Sequence, residues 1–546
     1  MSRPEQVAVD RRSFLAACAG CGLGRSLSAA LGSASVSGQR SRPNVLFLIS
    51  DDLNDWVLDP EGHPEAKTPH IDRLRERSVS FSNAHVVVPV CGPSRKCLWL
   101  GSYPQRSASY GFSEWTKVPL LRDSVPLQQH LGRNGYDVYG TGKLFHRGRG
   151  GDFYESYGVP PNYGPWPWKG KGNEKFTAHP AQIPLFEDNL PVNIHRDINF
   201  GPLSNVPHWK PDEERGIPGY EGWRMWGKPF RYRGPDDRDR MPDELSADYA
   251  VDVIGKEHDR PFFLGVGFIR PHSPLYAPRK YFDMYPLEDI NLPPYRPDDL
   301  DDCAAPLRDR WPLGFQKYDA LINGGGRRLW KKWVRAYLAC VSFVDDQVGR
   351  VLDALEASPY SENTIVILTG DHGYHVGEKD VLQKWHLWEE STRVPLLIDM
   401  PNAPGGGTCD HPVSLIDLYP TLVDLCELPR DPNEGHSGVP LDGHSLRPLL
   451  THPERGEWEG PSVAFSAVNE PHFSDEFHGP HFSVRSRRYR YTLCATGEEE
   501  LYDHARDPHE WENLAGNPDY AEVKKRLRKE LMKVLRNSKV PERFNP

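Results

Sequence analysis

The sequence predicts an α/β fold built on buried parallel strands, followed by a smaller antiparallel sheet. Three observations carry this. Near-continuous apolar runs at 44–50, 261–269 and 364–369 each close on charged or histidine residues, as strands buried on both faces do. Between them lie segments with apolar residues at 3.6-residue spacing, the longest from Leu329 to Leu355. Beyond about residue 440 the pattern changes to short alternating stretches, the signature of a small antiparallel sheet.

At 546 residues the chain can form one large domain and a smaller one. We divide it into an export signal and linker (1–40), a catalytic domain (41–440) and a C-terminal subdomain with a terminal helix (441–546). Its 52 prolines, 48 glycines and 15 tryptophans predict long, ordered, aromatic-rich loops. The net charge is −10. Five arginines among the first 40 residues make the remainder more acidic still, which argues against nucleic acid as a partner. A polyanionic substrate then needs a locally positive cleft.

Arg11-Arg12-Ser13-Phe14-Leu15 opens a weakly hydrophobic run ending near Ala34, which reads as a twin-arginine export signal. The expected location is therefore periplasmic or extracellular. A lipoprotein box at Leu15-Ala16-Ala17-Cys18 has too short an apolar run before it. No later stretch is long and apolar enough to span a bilayer. Setting aside Cys18 and Cys21, cysteines 91, 97, 303, 340, 409, 426 and 494 remain. If Cys91 is modified, the other six could pair, with no connectivity fixed.

In chain order, Asn44–Ser50 reads as a buried strand ending at Asp51-Asp52. Adjacent carboxylates at a strand's carboxyl end are tolerable when a divalent cation lies between them, whereas in isolation such a pair is usually a solvated turn. Thr68–Leu74 starts a helix. In Cys91-Gly92-Pro93-Ser94-Arg95 the proline places Cys91 at a chain reversal, with Ser94 as a helix N-cap and Arg95 a fork suited to a tetrahedral oxyanion. The plain alternative for Cys91 is a buried core thiol or half a disulfide.

A helix over 124–135 and a strand over 136–139 lead to Lys143 and His146, just past the strand end. Residues 147–240 form an irregular insertion with Trp166, Trp168, Trp209, Trp223 and Trp226. These rings either line a carbohydrate entrance or pack the insertion onto the body. A helix over 243–257 and the strand 261–269 deliver His272 between Pro271 and Pro274, in an extended loop. The strand 364–369 ends at Asp371-His372. Together with Asp51 and Asp52 these give a donor set that favours calcium or magnesium over zinc. Gly377-Glu378-Lys379 and Gln383-Lys384 follow. A strand over 394–400, a helix over 415–425 and a single strand over 483–491 come next; the last is basic enough to offer a polyanion patch. The final helix spans about 521–537.

The five residues from Cys91 to Arg95 resemble the C-x-P-S-R signature of type I sulfatases. The other pieces fall in that family's order: T-P-H-I-D-R-L with His70 for the usual Asn, G-K-L-F-H at 142–146, P-H-S-P at 271–274, and D-H-G with the following G-E and Lys384. The resemblance runs from about residue 44 to 514. It is closest to the iduronate-2-sulfatase branch, through G-K-x-F-H, the His after Asp371 and the segment 342–350. It implies an alkaline phosphatase-like fold, with a large mixed, mostly parallel sheet sandwiched by helices.

The resemblance further implies a sulfuric ester hydrolase in which Cys91, oxidised to formylglycine by a maturation enzyme, is the nucleophile. Asp51, Asp52, Asp371 and His372 would hold Ca2+ or Mg2+ with residue 91. Arg95, Lys143 and Lys384 would neutralise sulfate oxygens, His272 would protonate the leaving oxygen, and His146 would act as base. The implied substrate is a sulfated mono- or oligosaccharide, such as a 2-O-sulfated uronic acid, attacked from its end. A phosphatase or phosphonate monoester hydrolase of the same superfamily, or an inactive glycan-binding protein, is the alternative. One departure is Trp99-Leu100-Gly101, where the family shows Leu-Thr-Gly, which alters packing beneath the site.

Overall fold

The computed structural model describes residues 42–536 apart from 59–61, 168–198, 206–221, 309–311, 402–404, 436 and 471–477. The segment expected to be an export signal, Trp168 and Trp209 lie outside the described residues. The described residues belong to one compact unit. No helix among the described residues is long and apolar enough to cross a membrane.

The central sheet has eight strands: β1 (Asn44–Ser50), β2 (Val79–Phe81), β3 (Asp137–Gly142), β4 (Ser156–Tyr157), β5 (Phe262–Phe268), β6 (Thr364–Gly370), β7 (Leu396–Asp399) and β8 (Gly407–Cys409). Their order is β8-β2-β7-β6-β1-β5-β3-β4. β6, β1, β5, β3 and β4 run parallel, and β7 turns the sheet antiparallel at β6. The sheet is therefore mixed and mostly parallel, as the resemblance implies.

β1 is buried along its whole length because both faces are covered. Leu46 and Leu48 point into one core with Trp330, Trp333, Val334 and Tyr337; Val45, Phe47 and Ile49 point into another with Leu98 and Trp99. Alternate side chains on opposite faces explain why the strand reads as an unbroken apolar run. The first core is capped by helices α1 (Pro69–Arg77), α3 (Pro242–Ile254) and α4 (Pro312–Glu356), the second by α2 (Cys91–Leu100). α4 extends the predicted 329–355 helix backward across a break at Gly326, whose φ of 59° is left-handed.

Two local expectations are corrected. Helix α2 begins at Cys91 itself with Val90 as its cap, so Gly92 and Pro93 are already helical and Ser94 caps nothing. Proline is tolerated there because the amides of a first turn have no helical acceptor. The single basic strand over 483–491 is in fact a hairpin: β10 (His478–Arg485) turns at 486–488 into β11 (Tyr489–Leu493). Ser486 and Tyr489 close the turn, the Ser486 amide donating to the Tyr489 carbonyl at 2.8 Å. The alternation continued across it and hid the reversal. The seven cysteines among the described residues are all buried free thiols, so the expected pairing of the six beside Cys91 is not found.

β10 and β11 belong to a four-stranded antiparallel sheet with β9 (Ala464–Glu470) and β12 (Glu499–Asp503). With helix α5 (Ala521–Leu535) it encloses a third core that includes Val87, Val88, Val90, Trp385 and Trp388. Those residues flank Cys91 and Lys384, so the C-terminal sheet is the floor under both. β9 fixes the first segment directly: the Ala467 amide donates to the Val87 carbonyl at 2.8 Å.

The floor is joined to the catalytic body by buried ion pairs. Arg490 spans Glu389 and Glu510, with its Nε 2.6 Å from Glu510, and Arg485 donates to Glu389 at 3.1 Å. His504 adds a 3.0 Å contact to Glu510. These arginines are therefore structural and not a polyanion patch. Arg490→Ala removes the cation shared by two buried carboxylates, leaving Arg485 and His504 alone to meet them, and should destabilise the protein by about 3 kcal/mol. Arg279→Ala, which removes an exposed pair, should cost under ~1 kcal/mol. Chemical denaturation of the two variants checks the contrast.

Candidate active site

The carboxyl ends of β1, β6, β5 and β3 open on one edge of the sheet, where side chains from different strands converge. Asp51 and Asp52 follow β1, and Asp371 and His372 follow β6. The parallel register sets Ser50 beside Gly370, so the two pairs meet. Asp52 takes a left-handed φ of 64°, uncommon for a residue other than glycine. It is held there by the Tyr337 hydroxyl on its carbonyl at 2.7 Å and by the Asp371 carboxylate on its amide at 3.2 Å.

Helix α2 brings Cys91 against this group. Its Sγ accepts from Lys384 Nζ at 3.2 Å and lies 3.3 Å from His372 Nε2. Lys384 also donates to Asp52, and Lys143 to Asp51. Lys143 reaches its place because Gly142 closes a tight turn onto β5. Its φ is 67°, and a Cβ there would stand 1.9 Å from the Gly267 carbonyl. His272 Nε2 is 3.9 Å from Asp52 Oδ2. The His272 segment turns back instead of running extended, with its amide donating to the Ile269 carbonyl at 2.9 Å.

Arg95 uses part of its fork within the protein, while its Nη2, buried without a hydrogen-bond partner, stands 4.0 Å from Asp51 Oδ1. Nε donates to Asp371 at 2.8 Å and Nη1 to the Lys143 and Leu144 carbonyls. Fully buried, it fixes Asp371 and the Lys143 turn from behind. Trp99, the departure from the family pattern, donates to the same Leu144 carbonyl at 2.7 Å and packs on Phe47 at 4.8 Å. The larger ring thus supports the turn that carries Lys143. Ser94 donates to the Asp371 carbonyl.

The electrostatics single out Cys91. Burial pushes the thiols of Cys97, Cys303, Cys340 and Cys426 up to about 12. Burial acts on Cys91 in the same sense, but Lys143, Lys384 and His372 outweigh it, and that thiol falls well below its ordinary value. Burial raises Asp51 too, yet the cations around it hold it well below the usual carboxylate range. Burial lowers His372, but Asp371 reverses this and raises it to about 9. His146, beside Cys91, is lowered chiefly by burial and is neutral near pH 7.

The donor set fits a hard divalent cation. Asp51, Asp52, Cys91 and His372 each place a ligand atom within 4.8 Å of the others. Asp51 Oδ1 and Asp52 Oδ2 are buried without a hydrogen-bond donor, a costly arrangement unless a cation meets them. His372 Nδ1 donates to the Gly373 carbonyl at 2.8 Å, so the nitrogen that faces the cluster is Nε2, a ligand atom once a bound cation takes the place of its proton. Asp371 stands at the edge of this set, 3.4 Å from His372 Nε2.

All the predicted site residues converge here. Sequence reasoning missed two aromatic neighbours. The Tyr163 ring lies 5.0 Å from Lys143 Nζ and 4.6 Å from the His272 ring. The Phe112 ring packs on His146 at 4.6 Å and on Trp385 at 5.7 Å. Tyr163 falls in the aromatic-rich insertion, which was the one available signal. Lys379 of the G-E-K segment is elsewhere, paired with Asp299 at 2.6 Å.

A profile of the family described as Sulfatase matches residues 43–428, and one described as N-sulphoglucosamine sulphohydrolase, C-terminal, matches 377–537. A sulfatase of Formosa agariphila is 34% identical over 496 residues, covering 87% of this chain and 83% of that protein. Mouse iduronate 2-sulfatase is 28% identical, covering 71% of this chain and 69% of its own length. The solved phosphonate monoester hydrolase of Silicibacter pomeroyi superposes with a TM-score of 0.67 at 22% identity, covering 91% of this chain and 96% of that one.

Gly92 tests how closely the aromatic wall is fitted. A Cβ at this position would stand 2.6 Å from the Phe112 ring, which backs His146. Gly92→Ala should lower turnover of an aryl sulfate by at least about tenfold, a misplacement effect, and melting temperature should stay within a few degrees of the parent.

Proposed function

The chain belongs to the sulfatase family, and from that premise we propose that it hydrolyses a sulfate ester of a sulfated carbohydrate, acting through formylglycine at position 91. The supporting observation is the meeting of Cys91 Sγ with Lys384 and His372 where two donorless carboxylate oxygens converge. Sγ marks where the oxygens of the hydrated aldehyde would stand. When formed, that group supplies a nucleophilic hydroxyl and a second hydroxyl whose deprotonation releases sulfate. Asp51, Asp52, Asp371 and His372, with residue 91, would hold a divalent cation, for which calcium suits the carboxylate weighting; when bound, it supplies Lewis acidity and charge neutralisation.

The chain's own groups do the rest. Lys143 and Lys384 present fixed positive charge to the sulfate oxygens, in a buried site where it is screened little. Arg95 keeps Asp371 and the Lys143 turn in place. His272 Nδ1 donates to the Ser273 carbonyl at 2.6 Å, so Nε2 faces the cluster; in the imidazolium form Nε2 carries the second proton and gives it to the leaving sugar oxygen. Neutral His146 has the opposite task, accepting the proton from residue 91 that lets sulfate depart. His272 and His146 stand on different strand ends, so donor and acceptor are spatially separate.

A 2-O-sulfated uronic acid is the substrate we favour, by likeness to iduronate 2-sulfatase. The maturation enzyme that converts Cys91, and twin-arginine export to the periplasm or beyond, complete the proposal; both rest on the sequence.

Cys91→Ala should fold normally and lose turnover by several orders of magnitude, and mass spectrometry of tryptic peptide 78–95 should show the thiol replaced by an aldehyde. An unmodified peptide in an active preparation contradicts the mechanism. His272→Ala should slow hydrolysis of a sugar sulfate by roughly 10²–10⁴-fold. It should slow p-nitrophenyl sulfate far less, since that leaving group needs no proton. Chelator treatment should abolish activity, with calcium restoring it. Rates on matched sulfate and phosphate esters separate sulfatase from phosphatase action.

A further inference from the structure

Beside the reacting cluster, on the far side of Gly92 and His146, lies a cavity of about 200 Å³. One wall is the 112–116 segment with Phe112 and Trp115; the other is the 145–150 turn. The first wall is anchored from α2. Buried Lys96 donates to Ser109 Oγ and to the Gly111 and Ser113 carbonyls, the last two at 3.1 and 3.3 Å. The cavity is smaller than the ~300–1,000 Å³ of pockets that enclose drug-sized ligands. It suits one ring and not an extended chain.

Four charged residues line it: Lys96, Glu114, Arg147 and Arg149. Lys96 is committed to its loop. Glu114 pairs with Lys117 at 2.8 Å, and Arg149 pairs with Asp152. Arg147 is exposed and makes no hydrogen bond or ion pair among the described residues. A solvated surface arginine would look the same in isolation. This one follows His146 directly and stands on the rim of an aromatic-walled cavity that Gly92 and His146 also line. Its planar fork matches a carboxylate or sulfate in two-point contact.

Resting on the sulfatase reading above, we propose that this cavity seats the sugar ring of the leaving group. Arg147 binds a second anionic substituent on it, either a carboxylate or another sulfate. The reacting sulfate then goes to Lys143 and Lys384, while Arg147 selects rings that carry one more negative charge.

The test compares wild type, Arg147→Ala and Arg147→Lys on three sugars: a monosulfated hexose, the same sulfated ring with a C6 carboxylate, and its disulfated form. Arg147→Ala should cost at least roughly tenfold more in kcat/KM on a doubly charged ring than on the singly charged one, mainly through KM. Arg147→Lys should recover part of that loss. Selective loss on the carboxylate, on the second sulfate, or on both supports the proposal and identifies the anion read. Equal loss on all three sugars, or no loss on any, overturns it. Calorimetric binding of the same sugars to Cys91→Ala, with and without Arg147→Ala, gives this selectivity without turnover. Selective binding in a chain that hydrolyses none of the esters would sustain the subsite and sink the sulfatase reading alone.

Discussion

The structure depends on keeping three carboxylates and the Cys91 side chain together at one buried sheet edge. Two unit charges about 4 Å apart repel by roughly 4 kcal/mol at an effective dielectric near 20. With several such pairs the cluster would fly apart or protonate without compensation. Lys143 on Asp51, Lys384 on Asp52 and Arg95 on Asp371 supply it, one cation to each acid. Each comes from a different element: the end of β3, the segment after β6, and α2. The site therefore cannot assemble until those elements have packed, which ties its chemistry to the whole fold.

Burial works in opposite directions on the two kinds of group. It would neutralise Cys91 and Asp51, yet the same low-dielectric surroundings strengthen the nearby ammonium groups, and those win. For Cys97, six residues along the same helix, there is only Lys96 to oppose burial, and burial wins. The difference between a reactive position and an inert one is thus a matter of how many cations reach it. The C-terminal sheet contributes indirectly, by holding the segments that deliver Cys91 and Lys384.

The legible part of the sequence was the part in which one residue has one job. Apolar runs ending in Asp or His gave β1, β5 and β6 with their site residues, because a strand buried on both faces has no alternative pattern. Helix α2 was placed too late because Pro93 reads as a breaker, although a first turn tolerates it. The hairpin at 486–488 was hidden because Arg485 and Arg490 look like surface residues but are buried partners of Glu389 and Glu510. Arg95 reads in the sequence only as an anion fork; the folded chain shows that Asp371 and two carbonyls use its Nε and Nη1, while Nη2 has no hydrogen-bond partner. Phe112 was invisible and Tyr163 marked only by the aromatic content of its segment, since an aromatic in an irregular stretch carries no periodic mark. The insertion tryptophans divide: Trp223 is fully buried, whereas Trp226 is 39% exposed.

These misses share a physical cause with the division of labour in the site. The inner groups are fixed by charge balance, which tolerates little change: removing any one cation leaves an acid buried and unpaired. The outer wall at 112–116 and 145–150 carries no such constraint, since Glu114 and Arg149 meet their counter-ions on the rim and Lys96 holds only backbone and a hydroxyl. Side chains there can change without unbalancing the cluster. His146 belongs to both regions, facing Cys91 on one side and lining the cavity on the other. A sugar ring seated in the cavity would thus bear on the group that accepts the proton from residue 91. Recognition of the ring and release of the sulfate then meet at a single imidazole.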